Sequence, residues 1–268
     1  MSIRMFQIDA FTEELFRGNP AGVCPLESWL PDDLMQKIAM ENNQAETAFF
    51  VRTGDRFRIR WFTPATEVDL CGHATLAAAF VIFNVEGFSG TSIELDSRSG
   101  VLRVRHDGDM LTLDFPADTL RPVNPPAGLS EALGAPSLEV FRGKTDYLAV
   151  FGAEEDIVAL RPDFRKLGAI EARGIICTAR GRTVDFVSRF FAPQVGIDED
   201  PVTGSAHATL APYWAGKLGR TEMSAIQLSA RRGWLKVNLV GDRVEIGGKA
   251  RAYLEGRIAV SRSGPAQL

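Results

Sequence analysis

The sequence predicts an α+β fold of two homologous domains related by pseudo-twofold symmetry, each a curved, mostly antiparallel sheet wrapped around a central helix. Three observations lead there. One unit is written twice: Phe62-Thr-Pro leads through an acidic loop to Gly72-His-Ala-Thr-Leu-Ala77, and Phe191-Ala-Pro leads through another to Gly204-Ser-Ala-His-Ala-Thr-Leu-Ala211. Further landmarks recur at a steady offset: Pro162 follows Pro31 by 162 − 31 = 131, Pro193 follows Pro64 by 129, Gly204 follows Gly72 by 132, and Gly233 follows Gly100 by 133. A period this long signals paired domains rather than a solenoid. Finally, Ala74, Leu76 to Ala79 and Phe80 to Phe83 leave no polar stripe, so that helix is buried all round and needs a sheet to enclose it.

The elements follow in order. Phe6, Ile8 and Ala10 alternate as a first strand, and Arg17-Gly-Asn-Pro-Ala-Gly22 reads as a turn-rich loop. Pro31-Asp-Asp-Leu opens a helix with Pro in the first turn and acids at the positive dipole end; Leu34, Met35 and Ile38 share one side. Glu46 to Val51 and Phe57 to Phe62 flank Thr53-Gly-Asp55 as a hairpin, with Phe57, Ile59 and Trp61 on one face. After the Gly72 helix come strands from Gly100 and Met110, joined through Asp107-Gly-Asp109. Pro116 to Pro136 holds five of the 14 prolines and is the expected crossing, which sets the domains at 1–117 and 118–251. A last strand from Arg251, within 252–268, has no counterpart after Phe115 and is assigned back to the first domain.

Composition removes several classes of function. A net charge of −4 argues against a phosphate backbone or an anionic membrane as the main partner. The longest apolar run, Leu76 to Phe83, falls far short of the ~20 residues that span a bilayer. Cys24, Cys71 and Cys177 have neither disulfide-framework nor zinc spacing, and there are only three histidines. The expectation is a cytoplasmic protein with no metal and no membrane or nucleic-acid partner. Dinucleotide, P-loop, zincin and nucleophile-elbow motifs are absent from the sequence. What remains is cofactor-free proton transfer by carboxylate and imidazole.

The residues offer candidates, each with a plainer alternative. Cys71-Gly72-His73 and Thr203-Gly204-Ser205 both open apolar helices with small residues, whose free N–H groups suit an anion. If both ends face a shared cleft, Gly72, Gly204 and Ser205 clamp a small carboxylate; otherwise they only start two core helices. Glu46 begins an apolar strand and, taken alone, reads first as an outward-facing residue. Asp200 reads as a solvated loop acid, His73 as a satisfied helix-start residue and His207 as a structural one. Aligning the glycines of the repeat pairs His73 with Ser205; aligning His-Ala-Thr-Leu-Ala pairs it with His207. The glycine alignment is preferred, because backbone geometry fixes a helix start.

Ile8-Asp-Ala-Phe-Thr, Gly18-Asn-Pro-Ala-Gly22, Glu46-Thr-Ala-Phe, Phe62-Thr-Pro, Cys71-Gly-His-Ala-Thr75 and Asp200-Pro-Val-Thr-Gly-Ser-Ala206 together resemble the phenazine-biosynthesis PhzF-like family. That family is similar in fold to diaminopimelate epimerase, and the likeness covers essentially the whole chain. The resemblance implies a homodimeric, cofactor-independent isomerase acting on a small carboxylate-bearing substrate, with the site between its domains. It implies Glu46 as general acid/base, with His73 and Asp200 beside it and Gly72, Gly204 and Ser205 on the substrate. The apolar neighbours of Glu46 favour a raised pKa, which suits a group that takes up and returns a proton. Two alternatives stand: a two-thiol racemase using Cys71, for which the second half offers no matching thiol, and a binding protein that kept the fold without catalysis.

Overall fold

Alternation of apolar and polar residues makes the first segment a strand, and its partner comes from the far end of the chain. The computed structural model describes residues 2–260. Ser2–Ala10 pairs antiparallel with Ala250–Ala259, with a register shift at Gln7/Ile8. Phe6, Ile8 and Ala10 point inward and are buried. The final strand therefore belongs with the first, and the part of the expected C-terminal strand at 261–268 lies outside the described residues.

The chain forms two compact units. One holds 2–16, 20–111 and 249–260; the other holds 17–19 and 112–248. The change of unit at Leu111/Thr112 falls inside the strand Met110–Pro116, where the sequence drew the line at 117/118, and the return comes at Gly248/Lys249 rather than after 251. The proline-rich stretch belongs wholly to the second unit, which contains the short helix Leu129–Leu133.

The strand Asn19–Leu26, in the first unit from Pro20 onward, runs parallel to Glu46–Thr53, with Ala21 opposite Glu46 and Gly22 opposite Thr47. The sequence places a turn-rich loop at 17–22; the structure starts a strand at Asn19, and Pro20 is tolerated because it sits at the strand's beginning. Gly22 meets a packing demand, since a Cβ there would lie 2.9 Å from Thr47 Oγ1. The helix Asp32–Asn42 buries Met35, Ile38 and Ala39, with Leu34 against the same cluster. Glu46–Thr53 and Arg56–Phe62 form the expected antiparallel hairpin around Gly54, whose φ of +64° suits a glycine. The helix Gly72–Asn84 follows, buried from His73 to Phe83 except for a half-buried Phe80. Ser92–Ser97, not foreseen from the sequence, runs parallel to Arg56–Phe62 and antiparallel to Gly100–Asp107.

The second unit repeats this order. Asp146–Val150 runs parallel to Gly174–Arg180, which makes an antiparallel pair with Phe186–Phe191. The helix Gly204–Leu218 comes next, then Glu222–Gln227, parallel to Phe186–Phe191, and the hairpin Gly233–Val240 with Arg243–Gly248. Here the helix marked by Pro162 shrinks to Phe164–Leu167, capped by Asp163 and stopped at Gly168. Its second-unit counterparts of the buried aromatic core are Phe186, whose ring stacks on Trp214 at 5.7 Å, and Thr178, which accepts the Trp214 indole N–H at 2.9 Å. Trp214 is thereby both buried and satisfied, as a large amphipathic ring requires.

Candidate active site

A strand start and a helix start build the first cluster. Glu46 is the first residue of Glu46–Thr53, and His73 is the second residue of Gly72–Asn84, preceded by Cys71 at the N-cap. The helix has no side-chain cap; Thr75 instead donates its hydroxyl and its N–H to the Cys71 carbonyl. Glu46, Cys71 and His73 are 9%, 7% and 5% exposed, so the outward-facing reading of Glu46 is set aside. Glu46 lies inside because its strand is buried continuously from Glu46 to Val51, with no exposed face.

Nε2 of His73 lies 3.2 Å from Oε2 of Glu46, close but without the alignment of a full hydrogen bond. On the other side of the ring, Nδ1 lies 3.5 Å from Cys71 Sγ. Burial pushes the His73 pKa from 6.5 down to about 3, so the ring is neutral and carries one proton. With that proton on Nε2 facing the carboxylate, Nδ1 accepts from the Cys71 thiol. Cysteine, imidazole and carboxylate thus converge, with one ligand-type atom of each within 4.8 Å of the others.

The second unit places Asp200 at its own helix start. Asp200 Oδ1 accepts from Asn19 Nδ2 at 2.7 Å, and Oδ2 accepts the Thr203 hydroxyl at 2.5 Å. Gln227 closes the loop by donating to the Asp200 carbonyl at 2.7 Å and accepting from the Thr203 N–H at 2.8 Å. Burial drives the Asp200 pKa from 3.8 up to about 6, against the lowering effect of these hydrogen bonds and of Arg173. Asp200 is a buried, clamped group, not a solvated loop acid. His207 is structural, as its plainer reading had it: Nδ1–H donates to the Thr203 carbonyl at 2.8 Å.

Arg173 was not singled out from sequence. Its guanidinium grips Asp146 through Nε and Nη2 and donates from Nη1 to Ser205 Oγ at 3.0 Å. Because a guanidinium only donates, the Ser205 oxygen is the acceptor and its own O–H is left to donate elsewhere. The repeat offered a signal for Arg173. Glu46 opens a strand whose equivalent opens at Gly174 (174 − 46 = 128), immediately after Arg173, while His73 and Ser205 are each the second residue of their helices (205 − 73 = 132). The glycine alignment of the repeat is the one the helix starts follow. The first unit thus holds an acid on an imidazole, while the second holds a hydroxyl at the position matching His73 and a cation one residue before the position matching Glu46.

Other groups are excluded by burial. Cys24 and Cys177 are fully buried, and desolvation raises both thiol pKa values, that of Cys24 to about 12. Neither offers the second reactive thiol of a two-thiol racemase. No helix among the described residues is long and apolar enough to cross a membrane.

Residues 8–256 match the family model described as phenazine biosynthesis-like protein. A protein named as an uncharacterized isomerase of Pseudomonas aeruginosa is 51% identical over 258 residues, covering 96% of this chain and 99% of that one. The crystal structure of a PhzF family protein from Enterococcus faecalis superposes with a TM-score of 0.95 at 45% identity, covering 97% of this chain and all of that one. A hydroxyproline epimerase from Agrobacterium vitis, 10% identical over 98% of this chain and 94% of its own, reaches a TM-score of 0.59 and speaks for a shared fold alone.

The buried histidine and aspartate give opposite pH signatures. The His207 pKa falls from 6.5 to about 4 in the fold, so the unfolded chain binds the extra proton and stability is lost as pH drops from 6.5 towards 4. The His207 share of that loss is on the order of 3 kcal/mol at the acid end. Asp200 acts the other way, because its folded pKa is raised and the native state holds the extra proton between 3.8 and about 6. Urea unfolding across this range will show a shallower acid loss for His207→Gln and a steeper one for Asp200→Asn.

Proposed function

From the premise that the chain belongs to the phenazine biosynthesis-like family and is an isomerase by class, we propose that it moves a proton within a small carboxylate-bearing substrate without a cofactor. The observation that carries this reading is the buried contact between Glu46 and the neutral His73. The Glu46 carboxylate takes a proton from a substrate carbon. The electron pair left behind is delocalised into the substrate, and the carboxylic acid then returns the proton to a different carbon, so the product is an isomer and nothing is consumed. A nearby neutral imidazole steadies the carboxylate in one state and the acid in the other without adding a competing charge.

A carboxylate-binding role is assigned to the helix start of the second unit. Supporting this are the Gly204 helix start, the Ser205 hydroxyl left as a donor, and the Arg173 charge. Asp200 orients this helix start through Thr203 and is a positioning residue in this reading. The absence of a second reactive thiol favours one-base transfer over a two-thiol racemase.

We also propose a homodimer. Phe16 is 66% exposed, is held at a φ of +68°, and lies edge-on to Tyr253 beside exposed Leu254 and Leu15. A fold that keeps a strained aromatic in water has a partner surface for it. Sedimentation equilibrium of the wild type and Phe16→Glu will show dimer and monomer respectively; a monomeric wild type refutes the dimer.

The chemical test is solvent exchange. The protein is incubated in D₂O with a panel of small amino and hydroxy acids, and deuterium entering carbon positions is read by NMR. Glu46→Gln will lower the exchange rate on any compound turned over by about 10²–10⁴-fold while binding persists. Near-normal turnover by that variant removes Glu46 from the role.

A further inference from the structure

The sequence argued against a metal because no linear spacing of ligands suggested one, yet the fold assembles a set from two distant stretches. Glu46, Cys71 and His73 each bring one ligand atom within 4.8 Å of the others, and all three are buried. We propose that these residues form a three-ligand site for a thiophilic divalent cation of the zinc type, with the fourth position left for water or a substrate oxygen.

The donor set is the argument. Thiolate, imidazole and carboxylate are the three side-chain types zinc takes, at about 2.0–2.3 Å from the metal. Two ligands at that range on a tetrahedron stand about 3.5 Å apart, which is the separation already present between Cys71 Sγ and His73 Nδ1 at 3.5 Å. Only Glu46 has to reorient, by rotation of its side chain about a backbone held in the ladder with Ala21. The site is reachable, because the Glu46 side chain keeps 12% of its surface open to solvent. Cys71 makes no side-chain cap hydrogen bond, so capture of its sulfur by a metal breaks no cap. Binding displaces the thiol proton to solvent and forms a bond to sulfur; no electron changes hands.

Other ligating groups do not compete. Cys24 and Cys177 are fully buried. His106 stacks on Phe83 at 4.6 Å, and His207 is held on the Thr203 carbonyl. Among the described residues, this is the one cluster in which three such groups converge. Metal in this position engages the Glu46 carboxylate, so occupancy shuts the proposed proton transfer. That consequence rests on the proton-transfer reading, whereas the binding itself does not.

Cobalt(II) titration of the full chain tests the site without any substrate. One equivalent of Co²⁺ will produce a near-ultraviolet thiolate-to-cobalt charge-transfer band, and Zn²⁺ will bleach it. Cys71→Ser will abolish the band and weaken Zn²⁺ binding, read by calorimetry, by at least about 100-fold, more than outer partners of a metal site usually contribute. Glu46→Gln keeps the thiol and will weaken Zn²⁺ binding as well, which covers the case in which Cys71→Ser fails to fold. His106→Gln will leave both readouts unchanged. A missing band in the wild type, a band that survives Cys71→Ser, or unaltered Zn²⁺ affinity in Glu46→Gln overturns the proposal. Because no turnover is measured, such a failure leaves the solvent-exchange test of Glu46 independent.

Discussion

A carboxylate and an imidazole, both removed from water and 3.2 Å apart, set the terms for the first unit. Neither group has a reason to be buried for stability, since desolvating a carboxylate is costly and desolvating an imidazole lowers its proton affinity. The surrounding structure is organised to hold them there. Glu46 is fixed by the parallel pairing with Ala21, and the close approach of Gly22 to Thr47 sets the next residue. His73 is fixed by the first turn of an apolar helix whose other residues belong to the core. A strand start and a helix start are rigid points on which to mount a pair that must keep its spacing.

Duplication explains how the second unit came to differ. Where the first unit carries Glu46 and His73, the second carries Ser205 at the position matching His73 and Arg173 one residue before the position matching Glu46. One copy pairs an acid with an imidazole and the other a cation with a hydroxyl. Asp146 holds Arg173 in a bidentate grip, while Asn19, Thr203 and Gln227 hold Asp200, so the anion-favouring end is braced as firmly as the acid–base end. Buried polar groups satisfied in this way specify a single arrangement of the loop before the helix.

Much of this was legible in the residues. The repeat offsets revealed two equivalent units, and the unbroken apolar run from Leu76 to Phe83 announced a helix buried on all sides. What stayed hidden was tertiary. Glu46 looks like an edge carboxylate until its strand is covered by pairing with Asn19–Leu26, itself obscured by Pro20 and two glycines. Ser92–Ser97 lacks a strong apolar face, with only Ile93 and Leu95 buried, and so passed as a connection. Arg173 is a lone cation before a strand; only mapping that strand onto the one opened by Glu46 gives it a place. The proline-rich stretch looked like a boundary because proline breaks regular structure, but the change of unit falls inside a strand, where sequence carries no mark.

The most direct measurement is the protonation state of each histidine ring by ¹⁵N-edited NMR, which the chain's three histidines make assignable. The account predicts two different neutral tautomers in the interior: His73 protonated at Nε2, towards Glu46, and His207 protonated at Nδ1, towards the Thr203 carbonyl. Both rings will stay neutral at neutral pH. A His73 ring that is cationic at neutral pH, or that carries its proton on Nδ1 with Nε2 bare towards the carboxylate, would contradict it.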